Sequence, residues 1–383
     1  MLEGTVEQII DSTPMLGAAA TQDTVRLVRH GVRKLLDAVC ANDDQAGKTL
    51  DDGLVFDYAK PGEKPDCRWR EKAERERMLT RVAEDAERAL QAVEQAAGLL
   101  DDEAVQAARD LLRELLGQDF DIDSDGVPRL HHGTASGRII STVDTEMRHG
   151  RKSHHTRFDG YKLSASATNT REPLITGVHV AAGGEHDGPQ AKHLIDAQAP
   201  ERRPERILGD TAYGGGLVRA ELAERDVEVL APVPAGRADE DLLSKHDFRF
   251  DLDKGTVSCP GGHSAQISVS VNGNRTANFS TKACGVCRLK ARCCSGYPAR
   301  KLKIGPHDEL LLAARQALAD PATAEHLRRD RPRIERLLGL LAYRYGHRQS
   351  RYIGSAKARL QAAWAAALVN LNPIGHRLAL QNA

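Results

Sequence analysis

The stretch that decides the fold is "RILGDTAYGGG", Arg206 to Gly216. Two apolar residues of strand character, Ile207 and Leu208, lead straight into Gly209 and Asp210, with Tyr213 three residues later and a glycine run behind it. A carboxylate at the mouth of a strand has two readings. In the local one Asp210 caps the next helix, since Asp accepts from the free N–H groups of a first helical turn and glycine marks the turn. In the functional one it needs partner carboxylates elsewhere in the chain.

The composition sets outer bounds. The chain has 383 residues, 40% of them hydrophobic, which allows two or three domains with a proper core. No stretch approaches the roughly 20 consecutive apolar residues of a membrane span, and "MLEGTVEQ" is not a signal peptide, so a cytoplasmic protein without a membrane partner is expected. The 54 Lys and Arg balance 54 Asp and Glu, so net charge alone does not announce a nucleic-acid partner. The distribution is uneven, however: Gly296 to Leu360 holds fourteen Lys and Arg against six Asp and Glu. Such a stretch can hold phosphates by charge and by bidentate Arg forks, or can be a solvated helix face.

Along the chain, "GTVEQIIDSTPMLG" reads as a short strand, Val6 to Ile10, ending in Asp11. Helical periodicity follows from about 20 to 130: Val25, Leu27, Val28, Val32, Leu35, Leu36 and Val39 recur on one face, and Asp101 and Asp102 are placed to cap a later helix. Then "FDGYKLSASAT" and "PLITGVHVAAG" read as strands, "QAKHLIDAQ" as a helix capped by Asp187, "RILGD" as a strand, and "LVRAELAERDVEVLAPVP" as a helix and a strand from Val227 to Ala231. From about Arg237 short alternating β segments precede a cysteine cluster. The last third is helical, with Pro373 expected to end the final helix.

Partner carboxylates can now be proposed. Glu335 in "RPRIERLLGLLAYRYGHRQSRY" lies beside a helical apolar face of Ile334, Leu337, Leu338 and Leu341, with Arg331 one turn earlier on the same side. Asp11 and Asp210 each end a strand. Three carboxylates are the hard oxygen set that two-metal phosphoryl chemistry requires. Asp144, in "RIISTVD", competes with Asp11 as the first of them, and Glu335 has the plainer alternative of an ion pair with Arg331 or Arg336.

The cysteines carry a separate signal. Five of the seven, Cys259, Cys284, Cys287, Cys293 and Cys294, lie within 36 residues, which in a reducing compartment points to metal sooner than to disulfides. "CPGGH" and "CGVCRLKARCC" supply four thiolates, Cys259, Cys284, Cys287 and Cys293, for a structural Zn²⁺; Cys294 or His263 are alternative ligands.

These pieces resemble a DDE transposase of bacterial insertion sequences, the IS4-like group with an RNase H-fold catalytic domain. The matching motifs are "IIDST", "GRKSHHTRFDGYK", "LGDTAYG", the Glu335 helix with its Arg- and Tyr-rich tail, and "QAAWAAALVNLNPI" as the closing helix. The resemblance implies an α/β fold: an RNase H-like mixed sheet flanked by helices, with a helical insertion after the first strand and a Cys-rich β insertion before the last catalytic helix. The expected divisions are 1–20 for the first strand, 21–140 for the helical insertion, 141–236 for the remaining core strands, 237–300 for the Cys-rich insertion and 301–383 for the C-terminal helices.

Carried onto this chain, the resemblance makes Asp11, Asp210 and Glu335 the catalytic, Mg²⁺- or Mn²⁺-binding triad. Arg331, Arg344, Arg351, Tyr213 and Lys162 become DNA-handling residues. It further implies double-stranded DNA, both transposon ends and target, as partner and a homo-oligomer on that DNA. Relatives of this kind carry a helical DNA-binding region ahead of the first strand, whereas Met1 stands ten residues before Asp11, so an N-terminally truncated transposase is expected. The alternative is a non-catalytic DNA-binding protein derived from one.

Overall fold

The computed structural model describes residues 7–96, 98–153, 155–235, 242–251, 253–294 and 296–381, with side chains described as far as 375. Strand β1 (Glu7–Leu16) comes first. A helical module follows: α1 (Thr24–Asn42), α2 (Asp44–Asp52), α3 (Lys72–Gln95), α4 (Glu103–Asp119) and a small hairpin of β2 (Phe120–Ile122) and β3 (Pro128–Leu130). The central sheet resumes with β4 (Arg148–Arg151), β5 (Arg157–Thr168), β6 (Ile175–Ala182), α5 (Gln190–Asp196), β7 (Arg206–Leu208), α6 (Gly216–Ala223) and β8 (Glu228–Leu230). A second sheet is built from β9 (Arg249–Asp251), β10 (Thr256–Ser258), β11 (Ser264–Val269), β12 (Arg275–Asn278) and β13 (Lys301–Ile304), with α7 (Thr281–Gly285) and α8 (Lys290–Cys293) between the last two. Helices α9 (Asp308–Ala319), α10 (Pro321–Asp330), α11 (Pro332–Tyr343) and α12 (Ser355–Gln381) close the chain.

The first sheet is mixed and runs β4-β5-β1-β7-β8, with β6 also paired to β5. β1 is antiparallel to β5 and parallel to β7, and β8 is parallel to β7. Successive residues of a strand face opposite sides, and β1 shows what that does: Ile9 packs toward α11 and α12, while Ile10 joins α5 and α6 on the other side. Both faces of β5 are covered, so Ser164 and Ser166 are as buried as Leu163 and Ala165, and the polar-out alternation of its sequence has no solvent-facing side.

The helical module has its own core, with Val28, Val32, Leu35, Val82, Val93 and Leu112 fully buried. Asp102 caps α4 by accepting from the Ala104 and Val105 N–H groups, as its sequence position predicts. Inside the module the buried Asp85 carboxylate accepts from the Val55 and Phe56 N–H groups, the Tyr58 hydroxyl at 3.0 Å and Arg88 at 2.7 Å, which satisfies a charge that would otherwise be costly to bury. Arg138 fastens α4 to the approach to β4 with a two-pronged bond to Asp119, 2.6 Å on each prong.

Four expectations need correction. Asp11 lies inside β1, which continues to Leu16 because β5 pairs with it from Gln8 to Leu16; Val6 lies outside the described residues. "RIISTVD" forms no strand, and Asp144 stands immediately before the turn at Thr145 and Glu146. The Asp187 side chain does not cap α5. Pro373 lies within α12, which runs on to Gln381. That helix is held by the small residues Ala358, Ala362, Ala365 and Ala366 against the sheet, and by Asn370, whose amide brackets the Ile175 N–H and C=O at 2.8 Å each.

Candidate active site

Asp11 shares the strand face of Ile9, so its side chain is directed at α11. Its Oδ1 accepts from the Ser12 N–H at 2.7 Å and its Oδ2 meets Arg331 Nη2 at 3.2 Å. Asp210 follows the end of β7. It does cap the tight turn Thr211–Tyr213, accepting from the Ala212 N–H at 2.9 Å, and its other oxygen lies 3.9 Å from the same Arg331 Nη2. Glu335, in the first turn of α11, meets Arg331 Nη1 at 3.0 Å. Carboxylates from a central strand, a strand end and a helix thus converge on one guanidinium, and Asp210 is at once the cap of its own turn and a member of that group.

The electrostatics follow from this crowding. Burial pushes the Asp11 carboxyl up to about 6; the Ser12 N–H and Arg331 pull it down less than burial lifts it, and Asp210 and Glu335 add to the rise. One guanidinium therefore under-neutralises three carboxylates. Arg331 itself is set in place by its neighbour Asp330, which bonds Asn169 at 3.1 Å, His326 at 3.1 Å and Arg333 at 3.0 Å. Arg329, with Asn169 and Arg333, holds the Asp330 carboxyl down at about 2. His326 also bonds Glu7 at 2.8 Å, tying α10 to the start of β1.

On the opposite face of β1, Ser12 donates to Asp187 Oδ1 at 2.7 Å, and Lys162 Nζ lies 3.0 Å from that oxygen and 2.7 Å from the Glu185 carbonyl. This fourth carboxylate was missed as a site residue because its sequence position suggested only a helix cap. The signal that finds it is the strand register, which sets Ser12 opposite Ser164 two residues from Lys162.

The other named residues divide. Arg344 and Arg351 are exposed on α11's tail and the loop after it. Tyr213 is fully buried against Ile10 and Leu222, and Lys162 is turned inward onto Asp187, so both side chains stand beneath the Arg331 group rather than at the surface. Asp144 is buried, accepting from the Tyr161 hydroxyl at 2.6 Å and the Gly354 N–H at 3.2 Å; it ties β5 to the start of α12 rather than joining the Arg331 group.

Cys259, Cys284, Cys287, Cys293 and Cys294 line one pocket with His263 beneath the second sheet. Burial raises the Cys293 thiol to about 11. Among the described residues, no group of three or more His, Cys, Asp or Glu side chains is arranged to hold a metal ion, and this covers both the cysteines and the carboxylates as they stand. Among them, too, no helix is long and apolar enough to cross a membrane.

The fold and its carboxylate-bearing sheet define a mixed α/β domain built around an acidic centre. The family described as "Transposase DDE domain" matches residues 115–371, 257 of the 383. The chain therefore belongs to the DDE transposases, nucleic-acid-cleaving enzymes whose partner is DNA. The matched span includes Asp144, Asp210 and Glu335 and begins after Asp11. A comparison with curated proteins and one with solved structures each gave no match.

Proposed function

We propose that the chain is a transposase of the IS4-like, RNase H-fold kind in which Asp11, Asp210 and Glu335 are the catalytic carboxylates. The observation that carries this reading is their convergence on Arg331 from β1, the end of β7 and α11. The donor set is of the kind that Mg²⁺ or Mn²⁺ takes. Its spacing, with the guanidinium in place, is not that of a metal site. When bound, divalent ions would supply activation of the attacking oxygen and charge neutralisation at the leaving one.

The chain's own residues do the positioning. Arg331 offers a bidentate fork to a phosphate, while Arg344 and Arg351 are exposed cations along the same helix and its tail. The Ser12–Asp187–Lys162 group braces β1 from behind, so that Asp11 is presented rigidly to α11. The reaction is hydrolysis of a phosphodiester at the element's end, with water adding to phosphorus and a 3′-hydroxyl leaving. That 3′-hydroxyl then attacks a phosphorus of target DNA and displaces another 3′-oxygen.

The helical module, about 21–140, and the cysteine-bearing sheet, about 237–300, are read as insertions into this RNase H-like core, the former after the first strand and the latter before the Glu335 helix. A structural Zn²⁺ among Cys259, Cys284, Cys287 and Cys293 belongs to the same reading. It is supported by a cradle at Gly261, where an added Cβ would meet Cys287 Sγ at 3.0 Å and Cys259 Sγ at 3.6 Å. The working form is a homo-oligomer on DNA in the cytoplasm.

The test is a donor plasmid bearing a marker between the sequences that flank this reading frame, with products sequenced. Joined marker–target products support the transposase. Cut ends without joining make it a nuclease, and plasmid retention without cutting supports a non-catalytic DNA-binding protein.

A further inference from the structure

We infer that in the DNA-free protein Arg331 stands in the place of the metal, and that a substrate phosphate draws it out before a divalent ion loads between Asp11, Asp210 and Glu335. The inference rests on reading those three as the metal-holding set.

Three observations carry it. A single guanidinium meets all three carboxylates at 3.2, 3.9 and 3.0 Å, with Nη2 shared by Asp11 and Asp210 and Nη1 given to Glu335. The third guanidinium nitrogen, Nε, is buried with no hydrogen-bond partner among the described residues, so the head group is committed to the carboxylates at the expense of its own full solvation. The donors are of the right chemistry for a hard cation, yet no three of them are arranged to hold one while the guanidinium spans them.

The exchange is physically economical. Asp330, next in the chain, is fixed by Asn169, His326 and Arg333, so the backbone at Arg331 stays put and only a long side chain swings. A phosphodiester offers the guanidinium two oxygens in the planar geometry it binds best. Its negative charge replaces part of what the guanidinium gives up, and the vacated carboxylates then demand a cation. Metal loading is in this way made conditional on DNA, so that Asp11, Asp210 and Glu335 would be free to hold a divalent ion only when a substrate phosphate has engaged Arg331.

The experiment is Mn²⁺ binding, read by electron paramagnetic resonance of the free ion, to the full chain without DNA. The proteins compared are the wild type, R331Q, R331K, D210N and the double variant R331Q/D210N. R331Q is expected to bind Mn²⁺ at least tenfold more tightly than the wild type, and D210N to erase that gain. R331K, which keeps the charge, is expected to stay as weak as the wild type; this separates loss of the plug from loss of the fold. Equal binding by wild type and R331Q, weakened in both by D210N, overturns the inference while leaving the carboxylate set intact. Binding that D210N does not alter in any background overturns the carboxylate reading itself. Adding duplex DNA is expected to tighten Mn²⁺ binding by the wild type and to leave R331Q nearly unchanged; equal tightening of both overturns the exchange.

Discussion

Arg331 Nη2 lies 3.2 Å from Asp11 Oδ2, across 320 positions of sequence. The contact joins the first strand of the sheet to a helix near the end of the chain, with the helical module and the cysteine-bearing sheet both lying between them in sequence. Only the central placement of β1, between β5 and β7, brings the two together. The acidic centre is thus a product of the complete sheet rather than of any local segment.

The buried Asp11 carboxyl is held at a cost in stability. Burial raises its carboxyl from 3.8 to about 6, so the folded state holds a proton more tightly than the unfolded chain. The ionised form therefore costs stability at neutral pH, on the order of 2–3 kcal/mol, and stability returns as pH falls from about 6 toward 3.8. Calorimetry is expected to show Asp11→Asn melting above the wild type at pH 7.5, with the difference vanishing near pH 4. A variant less stable at every pH would contradict this.

His347 works in the opposite direction. It is 1% exposed, neither ring nitrogen has a hydrogen-bond partner among the described residues, and burial lowers it from 6.5 to about 4. Its neutral form fits the fold, so stability is complete above about 6.5 and is lost as pH falls toward 4, by roughly 3 kcal/mol. Urea melts of His347→Phe across this range are expected to lose that dependence. An unchanged pH profile would place the sensitivity elsewhere.

Exposed and inward cations separate by salt dependence. Arg344→Ala and Arg351→Ala are each expected to weaken DNA binding and to reduce the slope of log K against log salt by about one. Lys162→Ala is expected to lower the melting temperature instead, because its ammonium is engaged by Asp187 and the Glu185 carbonyl. A reduced slope for Lys162→Ala would reverse this division.

In the helical module, Asp85→Ala removes the acceptor of the part-buried Val55 and Phe56 N–H groups and of the fully buried Tyr58 hydroxyl. A loss of roughly 3–5 kcal/mol is expected from chemical denaturation. A loss under about 1 kcal/mol would show that water reaches the site.

Much of this was legible beforehand for physical reasons. Periodicity located α1 and α4 and the strands β5 and β6, since burial of one face leaves a repeating trace. Glu335 could be placed beside Ile334, Leu337 and Leu338 from the same trace, and Arg331 one turn away follows from helical geometry. Strand ends were less legible: β1 extends past Asp11 because β5 extends beside it, which is information held by the partner and not by the segment. Lys162 and Tyr213 are named as DNA-handling residues only through the family resemblance, and nothing in their own segments shows the pairing with Asp187 or the packing under Gly209 that turns them inward. Asp187 was hidden by a glycine and a proline that made it look like a cap.

The most direct test of the account is Mn²⁺-dependent nicking of supercoiled plasmid by the wild type and by D11N, D210N, E335Q and D144N. The account predicts that each of the first three variants loses nicking by a factor on the order of a thousand, while D144N keeps it. Full nicking by D11N, or its loss in D144N alone, would contradict the assignment of the catalytic carboxylates.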